Sequence, residues 1–305
     1  MDCLIDANEL LENYPSVGFS DANYNASQSS QDNFNLALFE EWSKFSEIEV
    51  PQKPPIRVIQ HLSCTGGTLL SKCLAAMPNV ALLSEVNPLS KMLLGSMTRC
   101  APTDLTFLAK QGGFPLVEEL SEKIFRADIN VISEHVKQLG KHLLIREHSH
   151  SDYLVGKSSN EYSTIRKLLN DDYPMLSVLT VRHPVDSYLS LLKLDWITFT
   201  PKTFEEYCKR YLSFIKQNQN IPLYKYEDFV ENPSTELRHI CQTLELPFNE
   251  NFQDVFDVNA FSGDSGRSSS IIEKRERRQI DEGVSIEINE SAKYLQLCEL
   301  LKYES

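Results

Sequence analysis

Two spacings of apolar residues alternate along most of this 305-residue chain. Short runs rich in branched and aromatic side chains predict strands: "IRVIQHL" (56–62), "VALLSE" (80–85), "HLLIRE" (142–147), "LSVLTV" (176–181) and "IPLYKY" (221–226). Between them, apolar positions recur every three or four residues. That spacing predicts helices over 67–77, over 115–139 in two pieces, and over 184–193, 203–218, 234–245 and 290–302. Apolar strands separated by helices predict an α/β fold, a mostly parallel sheet covered on both faces. Ligands of such sheets bind beyond the carboxyl ends of the strands, so functional side chains should follow each strand directly. No internal repeat interrupts the pattern.

The first fifty residues read differently. Residues 16–35 are rich in Ser, Asn, Gln and Asp and predict a flexible linker. Leu38, Phe39, Trp42 and Phe45 then recur at helical spacing, predicting a short amphipathic helix over 35–47. "PQKPP" (51–55) breaks the chain, which divides it into an extension, 1–50, and a main domain, 51–305. Charge follows the same division. The net charge is −13, and residues 1–50, with ten acids and one base, carry −9 of it. This balance argues against general nucleic-acid or anionic-membrane binding, yet leaves room for a local basic pocket. The acidic extension suits recruitment of a partner. Seven cysteines, an odd number without a Cys-x-x-Cys pair, suit thiols in a reducing compartment. The N-terminal stretch is acidic and no run of eighteen apolar residues occurs, so the chain reads as cytoplasmic with no membrane span.

Three strand ends carry chemistry suited to an anion. The first strand runs into "SCTGGT". Gly66 and Gly67 let backbone N–H groups approach an oxyanion, the following helix adds its dipole, and Thr65 and Thr68 offer hydroxyls. The lysine of the ATPase-type loop, G-x-x-x-x-G-K-[ST], is missing, and Cys64 stands in the loop. Lys72 lies one turn further and is expected on the solvated surface. The "HLLIRE" strand runs into "REHSH", which brings Arg146, His148 and His150 to the same edge. "LSVLTV" runs into "RHPVDSYLS", with Pro184 suited to a first helical turn and Arg182 and Ser190 two turns apart. A guanidinium can fork onto phosphate oxygens there; the plainer alternative is a surface pair between Arg182 and Asp186.

Taken together, these segments resemble the sulfotransferases that use 3′-phosphoadenosine 5′-phosphosulfate (PAPS). "TGGT" is similar to that family's 5′-phosphosulfate loop, and "RHPVDSYLS" to its R-x-P-x-D-x-x-x-S segment. "YKYEDFVENPSTELRHICQTLELPF" (224–248) and "SGDSGRSS" (262–269) resemble two later family segments. The resemblance implies a P-loop-like sulfotransferase architecture and PAPS as donor, with no metal. It places Cys64, Thr65, Gly66, Gly67, Thr68 and Leu69 at the 5′-phosphosulfate, Arg182 and Ser190 at the 3′-phosphate, and Arg267 in a late covering loop. It also sets Arg146 where the family has a lysine and His148 where it has its base, a role that an imidazole suits near neutral pH. Glu85, in "LLSEVNPL", is a second candidate base, since other branches of the family use a glutamate after the second strand. Where many members carry a loop lysine beside the leaving oxygen, this chain has Cys64; Arg146 is the expected replacement charge.

His61 reads as a satisfied strand-end residue, His183 as support for its turn, and "EKRERR" (273–278) as a solvated helical face. The acceptor pocket is expected among residues 86–140 and 193–215, which include Met92, Met97, Phe107, Phe114, Trp196 and Phe199, most of them core. A small-molecule, sugar, lipid or peptide acceptor all fit. Two other functions stay open: a phosphate-loop kinase, which needs Mg²⁺ and the missing lysine, and a non-catalytic nucleotide-binding scaffold.

Overall fold

The computed structural model describes residues 53–90, 92, 104–258, 271–274 and 276–304. They belong to one compact unit, Lys53–Ser305. The expected linker and the amphipathic helix at 35–47 lie outside the described residues, as do Met97 and Arg267.

Five strands form the central sheet: β1 (Ile56–His61), β2 (Val80–Val86), β3 (His142–Glu147), β5 (Met175–Val181) and β7 (Leu223–Lys225). Their order is β2-β3-β1-β5-β7, and every pairing is parallel. Beside this sheet, β4 (Val155–Gly156) and β6 (Thr198–Phe199) make a two-stranded pair. β1 is buried from end to end, as the centre of a two-faced sheet must be.

Alternation along the strands sorts the core onto the two faces. Ile59, Leu144 and Val178 pack with α1 (Gly67–Ala75) and α9 (Pro233–Thr243). Ile56, Val58, Leu143 and Ile145 point the other way, toward α3 (Val117–Gln138) and α5 (Thr164–Leu169). A third cluster joins Leu179 and Val181 to α6 (Pro184–Leu194), α7 (Phe204–Gln217) and α11 (Ala292–Leu301). The remaining helices are α2 (Leu105–Gln111), α4 (Ser149–Tyr153), α8 (Tyr226–Glu231) and α10 (Glu282–Glu290). None of the described helices is long and apolar enough to cross a membrane.

The α/β class agrees with the expectation, and several boundaries move. The two helical pieces expected over 115–139 are one helix, α3, with a separate α2 before it. Asp104 starts α2 by accepting the N–H of Phe107 at 2.8 Å. The strand expected over 221–226 ends at Lys225, and Tyr226 opens α8 instead. The last helix begins later than expected because Ser291 separates α10 from α11 and caps α11 through Tyr294 N–H. "EKRERR" is not a helical face: its described residues precede α10 as irregular chain.

Arg210 ties α7 to the segment that runs beside the functional edge. Its guanidinium is 1% exposed, pairs with Glu206 at 2.8 Å, and donates to the carbonyls of Tyr153 and Gly156 at 3.0 and 2.9 Å. Arg210→Ala strands those carbonyls and the carboxylate, and is expected to lower the unfolding free energy by about 3 kcal/mol, measured by chemical denaturation.

Candidate active site

Four strand ends open onto one cavity of about 440 Å³. The loop after β1 contributes Cys64, Gly66, Gly67, Thr68 and Leu69; β2 contributes Glu85; β3 and its following turn contribute Arg146, His148 and His150; β5 contributes Arg182.

Local packing dictates the glycine pair. Gly66 has φ +91°, and a Cβ there would stand 2.4 Å from the Tyr226 ring. A Cβ on Gly67 would stand 2.3 Å from the His61 ring. The chain thus fits between two rings only where it has no side chains. Thr65 closes the turn by donating its hydroxyl to Leu62 O at 2.7 Å. α1 then starts at Gly67 with no side-chain cap, so its leading N–H groups remain for a ligand.

Arg146 is 3% exposed and touches every neighbouring element. Nε donates to His61 Nε2 at 2.8 Å, Nη1 to Ser84 Oγ at 3.2 Å, and Nη2 to Thr68 Oγ1 at 2.9 Å. Nη2 also lies 2.7 Å from Glu85 Oε1. These bonds assign the His61 tautomer: Nε2 accepts, so Nδ1 carries the proton and donates to Leu62 O at 2.9 Å. Burial, and then the Arg146 charge, push the His61 pKa down to about 3.

Glu85 is the extra residue of a bulge in the β2–β3 ladder, with φ +59°. The bulge turns its carboxylate toward Arg146 and His148. Oε2 is buried with no hydrogen bond, yet lies 3.3 Å from His148 Nε2. Burial raises the Glu85 pKa, and Arg146 opposes that rise. Burial first and Arg146 second push the His148 pKa down to about 4, so its imidazole is neutral at pH 7. His148 Nδ1 lies 3.4 Å from Ser90 Oγ, and its ring meets the His150 ring edge-on at 3.7 Å between centroids. Glu85 and His148, read from sequence as alternative bases, therefore stand side by side. With His150 they place ligand atoms within 4.8 Å of one another, which could hold a cation. Arg146 already neutralises the carboxylate such an ion would use, so the arrangement favours handling a proton.

Arg182 follows β5. Its Nη1 donates to Cys64 O at 3.3 Å, and the guanidinium lies 4.8 Å above the Tyr226 ring. The alternative surface pair with Asp186 does not form, because Asp186 binds Arg277 at 3.0 Å. Ser190 is fully buried and outside the cavity lining, and its hydroxyl donates to Asp186 O at 2.8 Å. The Thr65 hydroxyl is likewise committed to backbone. Short polar side chains find carbonyls within their own turn, and spacing alone does not reveal this.

Sequence reasoning missed Lys72. It is 8% exposed and lines the cavity, where a solvated position was expected. The signal was its place four residues after Thr68, which sets both on one helical face. Trp196, Met92, Leu154 and Ile271 add apolar walls. Phe107 and Phe199 are core, and Phe114 is exposed.

A family model described as the sulfotransferase family matches residues 58–250. The chain belongs to the sulfotransferase family. None of the curated proteins compared matches it. Among solved structures it is similar to the sulfotransferase domain of the Synechococcus PCC 7002 olefin synthase, at 18% identity and TM-score 0.48, covering 84% of this chain and 98% of that one. It is also similar to mouse sulfotransferase SULT7A1 complexed with PAP, at 13% identity and TM-score 0.37, covering 81% and 89%. A third is sulfotransferase STF9 from Mycobacterium avium, at 13% identity and TM-score 0.39, covering 88% and 81%.

The neutral state of His61 has a measurable consequence. Its folded pKa lies below the unfolded value, so between about pH 4 and 6 the unfolded chain binds a proton there that the folded chain refuses. Folding therefore weakens at this site as pH falls. In His61→Gln that contribution disappears, and the stability difference between wild type and variant should narrow by up to about 1.4 kcal/mol per pH unit on acidification, followed by denaturant titration at several pH values.

Proposed function

We propose that this chain transfers a sulfuryl group from PAPS to the hydroxyl or amine of an acceptor. The observation that carries this reading is convergence on one cavity: the uncapped start of α1, the cations Lys72 and Arg182, and the Glu85–His148 pair all line it. Backbone N–H groups and a helix dipole suit a phosphosulfate, and a guanidinium over a ring suits a second phosphate.

In this reading the loop from Cys64 to Leu69 holds the 5′-phosphosulfate through backbone N–H groups and the Thr68 side chain. Arg182 takes the 3′-phosphate. Ser190 joins it only if its hydroxyl leaves Asp186 O. The acceptor oxygen or nitrogen attacks sulfur while the bond from sulfur to the bridging phosphate oxygen breaks. The proton passes to Glu85 and His148, which at 3.3 Å act as one coupled base. Charge develops on the departing adenosine 3′,5′-bisphosphate, and Lys72 supplies the nearby cation. Arg146, assigned that task from sequence, has its donors committed to His61, Ser84, Thr68 and Glu85; it holds the base and the loop in place.

Met92, Leu154, Trp196 and Ile271 favour an acceptor with an apolar body. Cytoplasmic placement is supported by Cys73, Cys208, Cys241 and Cys298, which are buried free thiols. The acidic extension as a partner-recruiting segment belongs to this proposal too. A kinase reading is disfavoured because the loop lysine is missing and Glu85, the strand-end carboxylate that lines the cavity, pairs with Arg146.

Adenosine 3′,5′-bisphosphate without Mg²⁺ should raise the thermal midpoint, while ATP with Mg²⁺ should not. His148→Ala and Glu85→Gln should each keep that rise and lose about 10²–10⁴-fold in labelled-sulfate transfer from PAPS. Full transfer by either variant rules out the coupled base. A midpoint that responds only to ATP with Mg²⁺ rules out the donor assignment.

A further inference from the structure

The segment after α11 returns to the turn that carries Arg182. Tyr303 donates its hydroxyl to Glu227 Oε2 at 2.7 Å. Oε1 of the same carboxylate accepts the backbone N–H of His183 at 2.9 Å. His183 Nδ1 accepts Val185 N–H at 3.3 Å, so Nε2 carries the proton and donates to Glu304 O at 3.1 Å. Lys225 secures the approach, donating to Lys302 O at 2.9 Å and lying 4.3 Å above the Tyr303 ring. Tyr303 and Glu227 line a second cavity, of about 460 Å³, and not the one that Arg182 lines.

Glu227 is well placed to govern Arg182 from two sides. It binds the peptide N–H that immediately follows Arg182, and it adjoins Tyr226, whose ring lies under the guanidinium. The Tyr211 hydroxyl fixes the same turn from within, bonding both Arg182 N and Arg182 O at 3.0 Å. A carboxylate held at both oxygens has one orientation. Held at one, it can rotate and loosen the His183 bond.

Resting on the reading of Arg182 as the 3′-phosphate grip, we propose that Tyr303 is a positioning residue. Through Glu227 it sets the Arg182 turn and so the preference for a nucleotide bearing a 3′-phosphate. The Tyr303 ring also packs against His183, at 5.1 Å between centroids, and Tyr303→Phe keeps that contact while removing the hydroxyl bond to Glu227.

The test is titration calorimetry with adenosine 3′,5′-bisphosphate and adenosine 5′-phosphate on wild type, Tyr303→Phe, Glu227→Ala, the double variant and Arg182→Ala. Tyr303→Phe should bind the bisphosphate about five- to tenfold more weakly and the monophosphate unchanged. In the Glu227→Ala background, Tyr303→Phe should add nothing. If Arg182→Ala abolishes the preference for the bisphosphate and Tyr303→Phe does not move it, the inference falls and the 3′-phosphate reading stands. Equal weakening of both nucleotides by Tyr303→Phe also overturns the inference, as a general loss of structure. If Arg182→Ala leaves the preference intact, the 3′-phosphate reading fails and takes the inference with it.

Discussion

One buried guanidinium organises this structure. Arg146 leaves β3 and bonds β1 through His61, α1 through Thr68, and β2 through Ser84 and Glu85. A charge taken out of water destabilises a fold unless its donors find partners and its charge a counterion, and this one has both. The dependence reaches further. His61 can accept from Arg146 only as a neutral ring, and its ring fits only because Gly67 has no side chain. Gly67, His61, Arg146, Glu85 and His148 therefore form a single line of contacts, from the phosphate loop to the candidate base.

Much of this was legible in the sequence, in a graded way. Apolar runs marked the five sheet strands, most clearly β1 and β3, where burial on both faces leaves little polar alternation to blur them. Strand-end chemistry marked Arg146, His148 and Arg182 because the topology of a parallel sheet brings those ends together. Side-chain direction was less legible. Thr65 and Ser190 were chosen for their hydroxyls, and both hydroxyls turn to carbonyls of their own loop or helix. Glu85 and His148 read as rivals because nothing in "LLSEVNPL" announces a bulge, and it is the bulge that sets them in contact. Tyr226 read as a strand end because its apolar neighbours fit either period over so short a run.

The distribution of charge changes meaning in three dimensions. The chain as a whole is acidic, yet Arg146, Lys72 and Arg182 line one cavity. Arg277 pairs with Asp186, so that carboxylate is already neutralised and does not compete with an anion for Arg182. Net charge describes how the molecule meets other macromolecules, and the local arrangement describes what its cavity can hold.

The bulge at Glu85 also has a backbone cost. A glutamate at φ +59° sits in backbone space that glycine occupies more easily, and non-glycine residues there are destabilised by about 1 kcal/mol or more. Glycine would relieve that strain, but it would leave the buried Arg146 guanidinium without its counterion, at a cost of about 3–5 kcal/mol. The strain of one torsion angle is thus offset by the electrostatics it creates, and the same carboxylate serves both the fold and the cavity.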